Sequence, residues 1–445
     1  MSTAGQGAAA IDDPRVIIDE SPMSRLQIAA VAITVGLNAL DGFDVLSISF
    51  ASPGIAAEWG IDRAALGIVL SMELIGMAIG SVLLGGVTDR IGRRNMILGC
   101  LVVMAFGMFM VTTASNLTML SIWRVLTGLG IGGMLAAINA AAAEFSNRRS
   151  RNIALALMVI GYPLGAVIGG SVASLLLRGG DWRLVFEFGA LVTALFIPLV
   201  WFFVPEPVQF TMARRPTDAL AKINRTLARM GHRTVAALPA PTPEEDRASI
   251  RDIFGPDLRR TTILVTIAYF AHIVSFYFIL KWTPAIVTDL GFPASQAASV
   301  LVWANVGGAV GGAVFGMLAQ RFALKQLTLV VLAISAVMVG LFGAAGVQSL
   351  GGLAILACAS GLFTNSAIVG LYTIFARAFP THVRATGTGF AIGIGRGGSA
   401  LSPILAGFLF DSGMTLAGVA ITLGLGSAIA AVALAGVRLR LDTAK

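Results

Sequence analysis

Apolar runs long enough to cross a hydrocarbon core of about 30 Å recur about twelve times along this chain, and nothing else limits its fold as sharply. They lie at roughly 28–51, 64–88, 95–114, 117–143, 152–177 and 183–204, then at roughly 261–287, 295–319, 326–346, 350–376, 385–410 and 414–437. Charged residues make up only 12% of the chain, against about a quarter in a soluble domain. A chain of this length could bury a core in water but would still need a charged surface. The expected fold is therefore an all-α integral membrane protein, with twelve transmembrane helices in two pseudo-symmetric six-helix bundles.

The basic residues orient those helices. With both termini on the cytoplasmic side, external segments hold only Arg63, Arg178 and Arg183, and Arg124, Lys281 and Arg396 fall inside spans. Every other one of the 31 basic residues then lies in a cytoplasmic segment, as the positive-inside rule requires. The net charge of +8 is explained by this distribution, and nucleic acid is not expected as a partner. The organisation reads as a tail over roughly 1–27, a bundle over 28–204, a linker over 205–260, a second bundle over 261–437 and a tail over 438–445. The linker is rich in proline and mixed charge, and roughly 217–230 within it fits a surface helix. No Walker A pattern accompanies it, so an ATP-driven pump is not expected. The first polar segment lacks the plan of a signal peptide, so the first apolar run is expected to stay as a membrane helix. Cys100 and Cys358 both sit in apolar runs and fit core packing, with no metal-ligand spacing and no disulfide framework.

The halves repeat. The loop after span 2 reads Gly85-Gly86-Val87-Thr88-Asp89-Arg90-Ile91-Gly92-Arg93-Arg94, and the loop after span 8 reads Gly316 to Lys325, with Gln320 in place of the aspartate. Internal repeats of this kind mark secondary transporters with a site near the membrane midplane. The first copy resembles the signature loop of the major facilitator superfamily, and the Arg124, Gly128, Gly130 pattern of span 4 is similar to another of its motifs. Span 5, with Gly161-Tyr162-Pro163-Leu164-Gly165, resembles a stretch frequent in antiporters. Leu40-Asp41-Gly42-Phe43-Asp44 in span 1 resembles the signature of the aromatic acid:proton symporter family, as do Glu58-Trp59-Gly60, Lys281-Trp282-Thr283-Pro284 and Gly393-Ile394-Gly395-Arg396-Gly397. Glu73 and Lys281 depart from that family's pattern.

The resemblance implies a major facilitator fold in a bacterial cytoplasmic membrane. It implies proton-coupled uptake of an aromatic monocarboxylate, a hydroxy- or methoxybenzoate, by alternating access. No cofactor beyond the proton gradient, no catalytic residue and no metal are expected, and the chain is expected to act as a monomer. Proton-driven export of an amphipathic compound and a transporter-like sensor of aromatic acids are the rival readings. Asp89, Arg90, Arg93, Arg94, Glu144 and Arg384 are the expected gating set, with cytoplasmic ion pairs closing the inner gate.

Charges inside a bilayer are costly and persist when paired or facing a cavity, at about 2.5–3.5 kcal/mol each on insertion scales. Asp41 and Asp44 are three residues apart and share a helix face, so they are candidate proton carriers, or a static pair with Arg124. Glu73 is either a third titrating group or a satisfied carboxylate. Arg396, in a glycine-rich stretch, is the leading candidate for the substrate anion, since a planar guanidinium takes a carboxylate bidentately. Lys281 either shares that role or snorkels to the interface. His272, Asn139, Asn365, Trp303 and Tyr372 complete the candidate substrate contacts, each with packing as the plainer alternative.

Overall fold

The computed structural model describes residues 13–239, 250–344, 346, 349–380 and 383–437; the side chains of Asp89 and Ala385 lie outside the described residues. Among the described residues, twelve helices are long and apolar enough to cross a membrane. Spans 1 to 6 are Arg25–Trp59, Arg63–Ile91, Arg93–Thr112, Leu117–Phe145, Arg151–Leu176 and Arg183–Phe203. Spans 7 to 12 are Arg259–Asp289, Ala294–Leu318, Leu324–Ala344, Leu350–Ala378, Arg384–Asp411 and Leu416–Ala435.

Short polar side chains start many of these helices. Asp62, Asn116, Ser349 and Thr415 each accept a backbone N–H in the first turn, and Ser24 with Gln27 forms a reciprocal capping box at span 1. Span 1 runs further than its apolar run suggests. It continues through Pro53 to Trp59 and stops at Gly60, whose φ of 60° is left-handed. The extra turns are held from span 6: Trp182 Nε1 and Arg183 donate to the Glu58 carboxylate at 2.7–2.8 Å.

Two segments expected to be a tail and a linker carry helices docked on the first bundle. Pro14–Glu20 is capped by Asp13 and buries Ile17 and Ile18, while Asp19 pairs with Arg151. Ala219–Arg229 buries Ile223 and Leu227 in the same core cluster, which explains why a polar stretch keeps a helix.

Within each bundle, glycines bring backbones together. A Cβ at Gly128 of span 4 would collide with the Glu73 carbonyl of span 2; a Cβ at Gly361 of span 10 would collide with the Ala304 carbonyl of span 8. The halves meet through spans 2 and 11, 5 and 8, and 1 and 7. At the end away from the linker they are shut. Arg63 of span 2 pairs with Asp289 of span 7 at 2.5 Å and lies over the Phe410 ring at 5.4 Å. Ser174 of span 5 donates to the Ser295 carbonyl in the first turn of span 8 at 2.7 Å. A cavity of about 1000 Å³ lies between spans 2, 10 and 11 and reaches the linker-side start of span 11 at Arg384.

Candidate functional site

Five charged side chains are buried where span 1, span 2, span 4 and span 7 converge: Asp41, Asp44, Glu73, Arg124 and Lys281. Gly128 seats span 4 on the backbone of Glu73, which brings the Arg124 guanidinium onto that carboxylate as an ion pair. Arg124 Nη2 also donates to the Asp44 carbonyl at 3.0 Å, and its guanidinium lies 5.3 Å above the Phe186 ring. Lys281 Nζ, from the other half, donates to the Val45 carbonyl and stands 3.9 Å from Glu73.

Arg124 therefore meets span 1 through a main-chain oxygen, not through the static pair with an aspartate carboxylate that the sequence left open. The ion pair goes to Glu73 because the span 2–span 4 crossing is the tighter one. Asp41 and Asp44 are left with carboxylate oxygens that are buried and have no hydrogen-bond partner among the described residues. Lys281 does not snorkel; it is fully buried and forms a charged contact across the two halves.

Arg396 lines the cavity beside Ser81, Tyr372 and Phe390. Its Nη1 donates to Ser81 Oγ and to the Met77 carbonyl at 3.3 Å, and no carboxylate lies within ion-pair distance of it among the described residues. Gly395 is a glycine because a Cβ there would strike the ring of Tyr269. The Tyr269 hydroxyl meets the Tyr372 hydroxyl at 2.9 Å. Such a pocket, mostly apolar with the Arg396 guanidinium, a second guanidinium from Arg384 at its linker-side end and a few hydroxyls, can take a flat ring bearing one anionic group.

The remaining candidates fall outside that wall. His272 bonds Ser427 Oγ and the Thr364 carbonyl, each at 2.9 Å, so both ring nitrogens are used in packing the second bundle. Asn365 donates to the Gly308 carbonyl at 2.7 Å, tying span 10 to span 8. Asn139 is exposed near the linker end of span 4 and donates within its own helix to Leu135. Trp303 is half-exposed.

At the linker end, Arg93 and Glu144 pair at 3.4 Å. The loop is also tied to a residue that the sequence did not single out. Glu206, flanked by Pro205 and Pro207 just after span 6, accepts the N–H groups of Arg93 at 2.6 Å and Arg94 at 3.2 Å. It thus caps span 3, whose preceding Gly92 has a φ of 98° and no room for a Cβ against the Glu206 carboxylate. Burial pushes Glu206 up to about 7, against the pull of those N–H donors and of Arg93. Arg94 donates to the Trp201 carbonyl at 2.8 Å, and Arg214 donates to the Arg90 carbonyl at 3.3 Å. Arg384 stands on the cavity wall, and the Asp89 side chain lies outside the described residues.

Residues 34–280 match the Major Facilitator Superfamily. The chain belongs to that superfamily. It is 28% identical to the gallate transporter of Pseudomonas putida, over 94% of this chain and 93% of that one. It is 31% identical to the 4-hydroxybenzoate transporter PcaK of Pseudomonas putida, over 87% of each chain. Among solved structures, a D-xylose-proton symporter superposes with a TM-score of 0.71 at 18% identity, covering 92% of this chain and 96% of that one. This superfamily member is thus a multi-pass membrane protein with the major facilitator fold, and its curated relatives are the aromatic acid transporters that its motifs resemble.

The superfamily's loop accounts for Gly92, Arg93 and Arg94, and its span 4 motif for Arg124 and Gly128. Neither motif contains Glu73, Lys281 or Glu206. A proline-flanked acid immediately after an apolar run was the available signal for Glu206. For Glu73 and Lys281 the signal was the charge itself, and the partner was hidden.

Proposed function

We propose that this protein imports an aromatic monocarboxylate together with one or more protons, by alternating access. The observation that carries the reading is Arg396: a guanidinium deep on the wall of a mostly apolar cavity whose other cation, Arg384, stands at the linker-side end, with no carboxylate paired to Arg396 among the described residues. A substrate carboxylate supplies the missing anion. The relatives named for gallate and 4-hydroxybenzoate support a ring-hydroxylated benzoate as the substrate class. The positive-inside pattern supports a cytoplasmic linker and cytoplasmic termini, and in that orientation the cavity faces inward and the Arg63–Asp289 pair closes the outside.

Proton coupling belongs to the buried cluster in this reading. An ionised carboxylate buried without a partner is penalised by several kcal/mol, roughly, whereas the neutral acid is not. Asp41 and Asp44 are in that position, next to the Glu73–Lys281 contact that joins the halves. Charge arriving or leaving there changes how firmly the halves hold together. No bound cofactor is invoked; the proton gradient supplies the work, and one copy of the chain suffices. The span 5 glycines that kept export open are occupied by packing: a Cβ at Gly161 or at Gly165 would collide with the backbone of span 1.

The test is uptake of radiolabelled benzoate, hydroxybenzoates and gallate into proteoliposomes, with and without an inward proton gradient. Accumulation of at least one acid that collapses with a protonophore is expected. Equal, non-accumulating entry with and without the gradient would leave a facilitator, and outward pumping would favour export.

A further inference from the structure

The chain has only four tyrosines, Tyr162, Tyr269, Tyr277 and Tyr372, and the fold gathers them around one place. Tyr269 and Tyr277 both lie within electrostatic reach of Arg396, and Tyr277 lies close to Tyr162 of the first half. Tyr269 and Tyr372 meet hydroxyl to hydroxyl at 2.9 Å, with ring centroids 5.6 Å apart. Tyr269 is 4% exposed and Tyr372 43%, and Tyr372 shares the cavity wall with Arg396.

Hydrogen-bond accounting gives this pair a direction. A phenolic hydroxyl has one donor, and a buried donor needs an acceptor. Tyr269 has a single acceptor within reach among the described residues, the Tyr372 oxygen. Tyr269 therefore donates to Tyr372. The Tyr372 oxygen, already accepting, becomes a stronger donor through its own O–H, which has no acceptor among the described residues and belongs to a side chain on the cavity wall. Gly395 fixes this arrangement by admitting the Tyr269 ring beside the helix that carries Arg396.

We infer that the Tyr269–Tyr372 pair is the subsite for a ring oxygen of the substrate, with Tyr372 donating to a phenolic hydroxyl while Arg396 holds the carboxylate. This deepens the proposed function and rests on it. A benzoate without ring oxygen would leave the Tyr372 donor facing apolar atoms, and a site built to hydrogen-bond a hydroxyl discriminates against the analogue that lacks it. The carboxylate is recognised by any such acid, so the tyrosine pair sets the choice among them.

Calorimetric binding of benzoate and 4-hydroxybenzoate to the purified full chain tests this. The unaltered protein is expected to prefer 4-hydroxybenzoate by about tenfold, the scale of one hydrogen bond. Tyr372→Phe should bring that ratio near one while leaving benzoate affinity within about twofold. Tyr269→Phe, which keeps the Tyr372 donor but removes its polarising partner, should lower the ratio only partly. A full preference in Tyr372→Phe, or an equal loss of both acids, would overturn the subsite. If the unaltered protein bound neither acid, the aromatic-acid reading itself would fall, and this inference with it.

Discussion

Spans 2 and 4 of the first half cross just as spans 8 and 10 of the second half do, yet the two crossings carry opposite chemistry. In each, one glycine pair seats one backbone on the other: Gly76 and Gly128 in the first half, Gly307 and Gly361 in the second. Aligned on those glycines, Glu73 corresponds to Ala304 and Arg124 to Ala357, and all four are buried. The fold thus needs the glycines and does not need the ion pair, because the second half packs without one. A buried ion pair kept where alanines would serve adds little net stability, so its retention points to work other than holding helices together. The second half carries Arg396 and the tyrosine pair instead. One half holds the charges that suit coupling, the other holds the groups that suit the ligand, and Lys281 to Glu73 is where they touch.

Copying the second half's pattern into the first is the most severe way to break this contrast. Glu73→Ala alone leaves Arg124 and Lys281 as two buried cations without the carboxylate they pair with, and should cost about 3–5 kcal/mol of stability. Glu73→Ala with Arg124→Ala and Lys281→Met should regain most of it, since no charge is left stranded. Gradient-driven accumulation should stay absent in the triple variant. Thermal unfolding in detergent and uptake in proteoliposomes measure the two properties separately; a triple variant that still accumulates substrate would confine the cluster to structure.

Asp41→Asn and Asp44→Asn probe the same half more gently. Each replaces an unpartnered buried carboxylate by a neutral amide of similar volume, so folding and insertion should persist. Accumulation against a gradient should disappear, whereas exchange of external for internal substrate should continue. Undiminished accumulation in both single variants would take span 1 out of the proton path.

The second half is tested through its cation. Arg396→Ala removes a charge-assisted hydrogen-bond donor worth about 1.5–3 kcal/mol, a loss of roughly ten- to a hundredfold in acid affinity. Arg396→Lys should retain part of it, lacking the bidentate fork. Lys281→Ala should weaken binding less than Arg396→Ala, because Lys281 stands on Glu73 and Val45 rather than on the cavity wall. Unchanged affinity in Arg396→Ala would move the carboxylate site to Lys281 or Arg124.

How much of this was legible beforehand depends on how far apart the partners are in sequence. The twelve spans followed from apolar runs, and the repeat from two copies of one loop. Arg396 and Tyr372 were visible as a charge and an aromatic inside spans. The docking of the Pro14–Glu20 and Ala219–Arg229 helices was not, since their few apolar residues are buried by spans far along the chain. That Trp303 and Asn139 lie off the cavity wall was hidden for a related reason: a helix that is apolar on every side does not announce which side faces inward. Glu73 and Lys281 stood out as charges, but they lie in different halves, and only packing of the halves shows that they meet.

The smallest effect separates the two loops at the linker end. In the second half, Lys325 donates to the Ala435 and Val437 carbonyls at 2.9 and 2.7 Å, just as Arg94 donates to Trp201 in the first, so the degraded loop copy keeps its tie to the last span of its half. The first half adds the Glu206 carboxylate, held up at about 7 by burial. An unfolded chain releases that proton near the ordinary glutamate value of about 4.3, so between there and about 7 the folded state binds a proton that the unfolded state has lost. Stability from this group therefore falls as pH rises through that window and levels off above it. Glu206→Gln should flatten the slope, by a few degrees in Tm across roughly pH 5 to 7, because the amide still accepts an N–H but does not titrate. Lys325→Met should leave the slope unchanged, since its partners are main-chain carbonyls with no proton to gain. Melting curves of the purified variants from pH 5 to 8 compare the two. A slope that survives intact in Glu206→Gln would assign the titration to another group and leave the Glu206 contact as a helix cap alone.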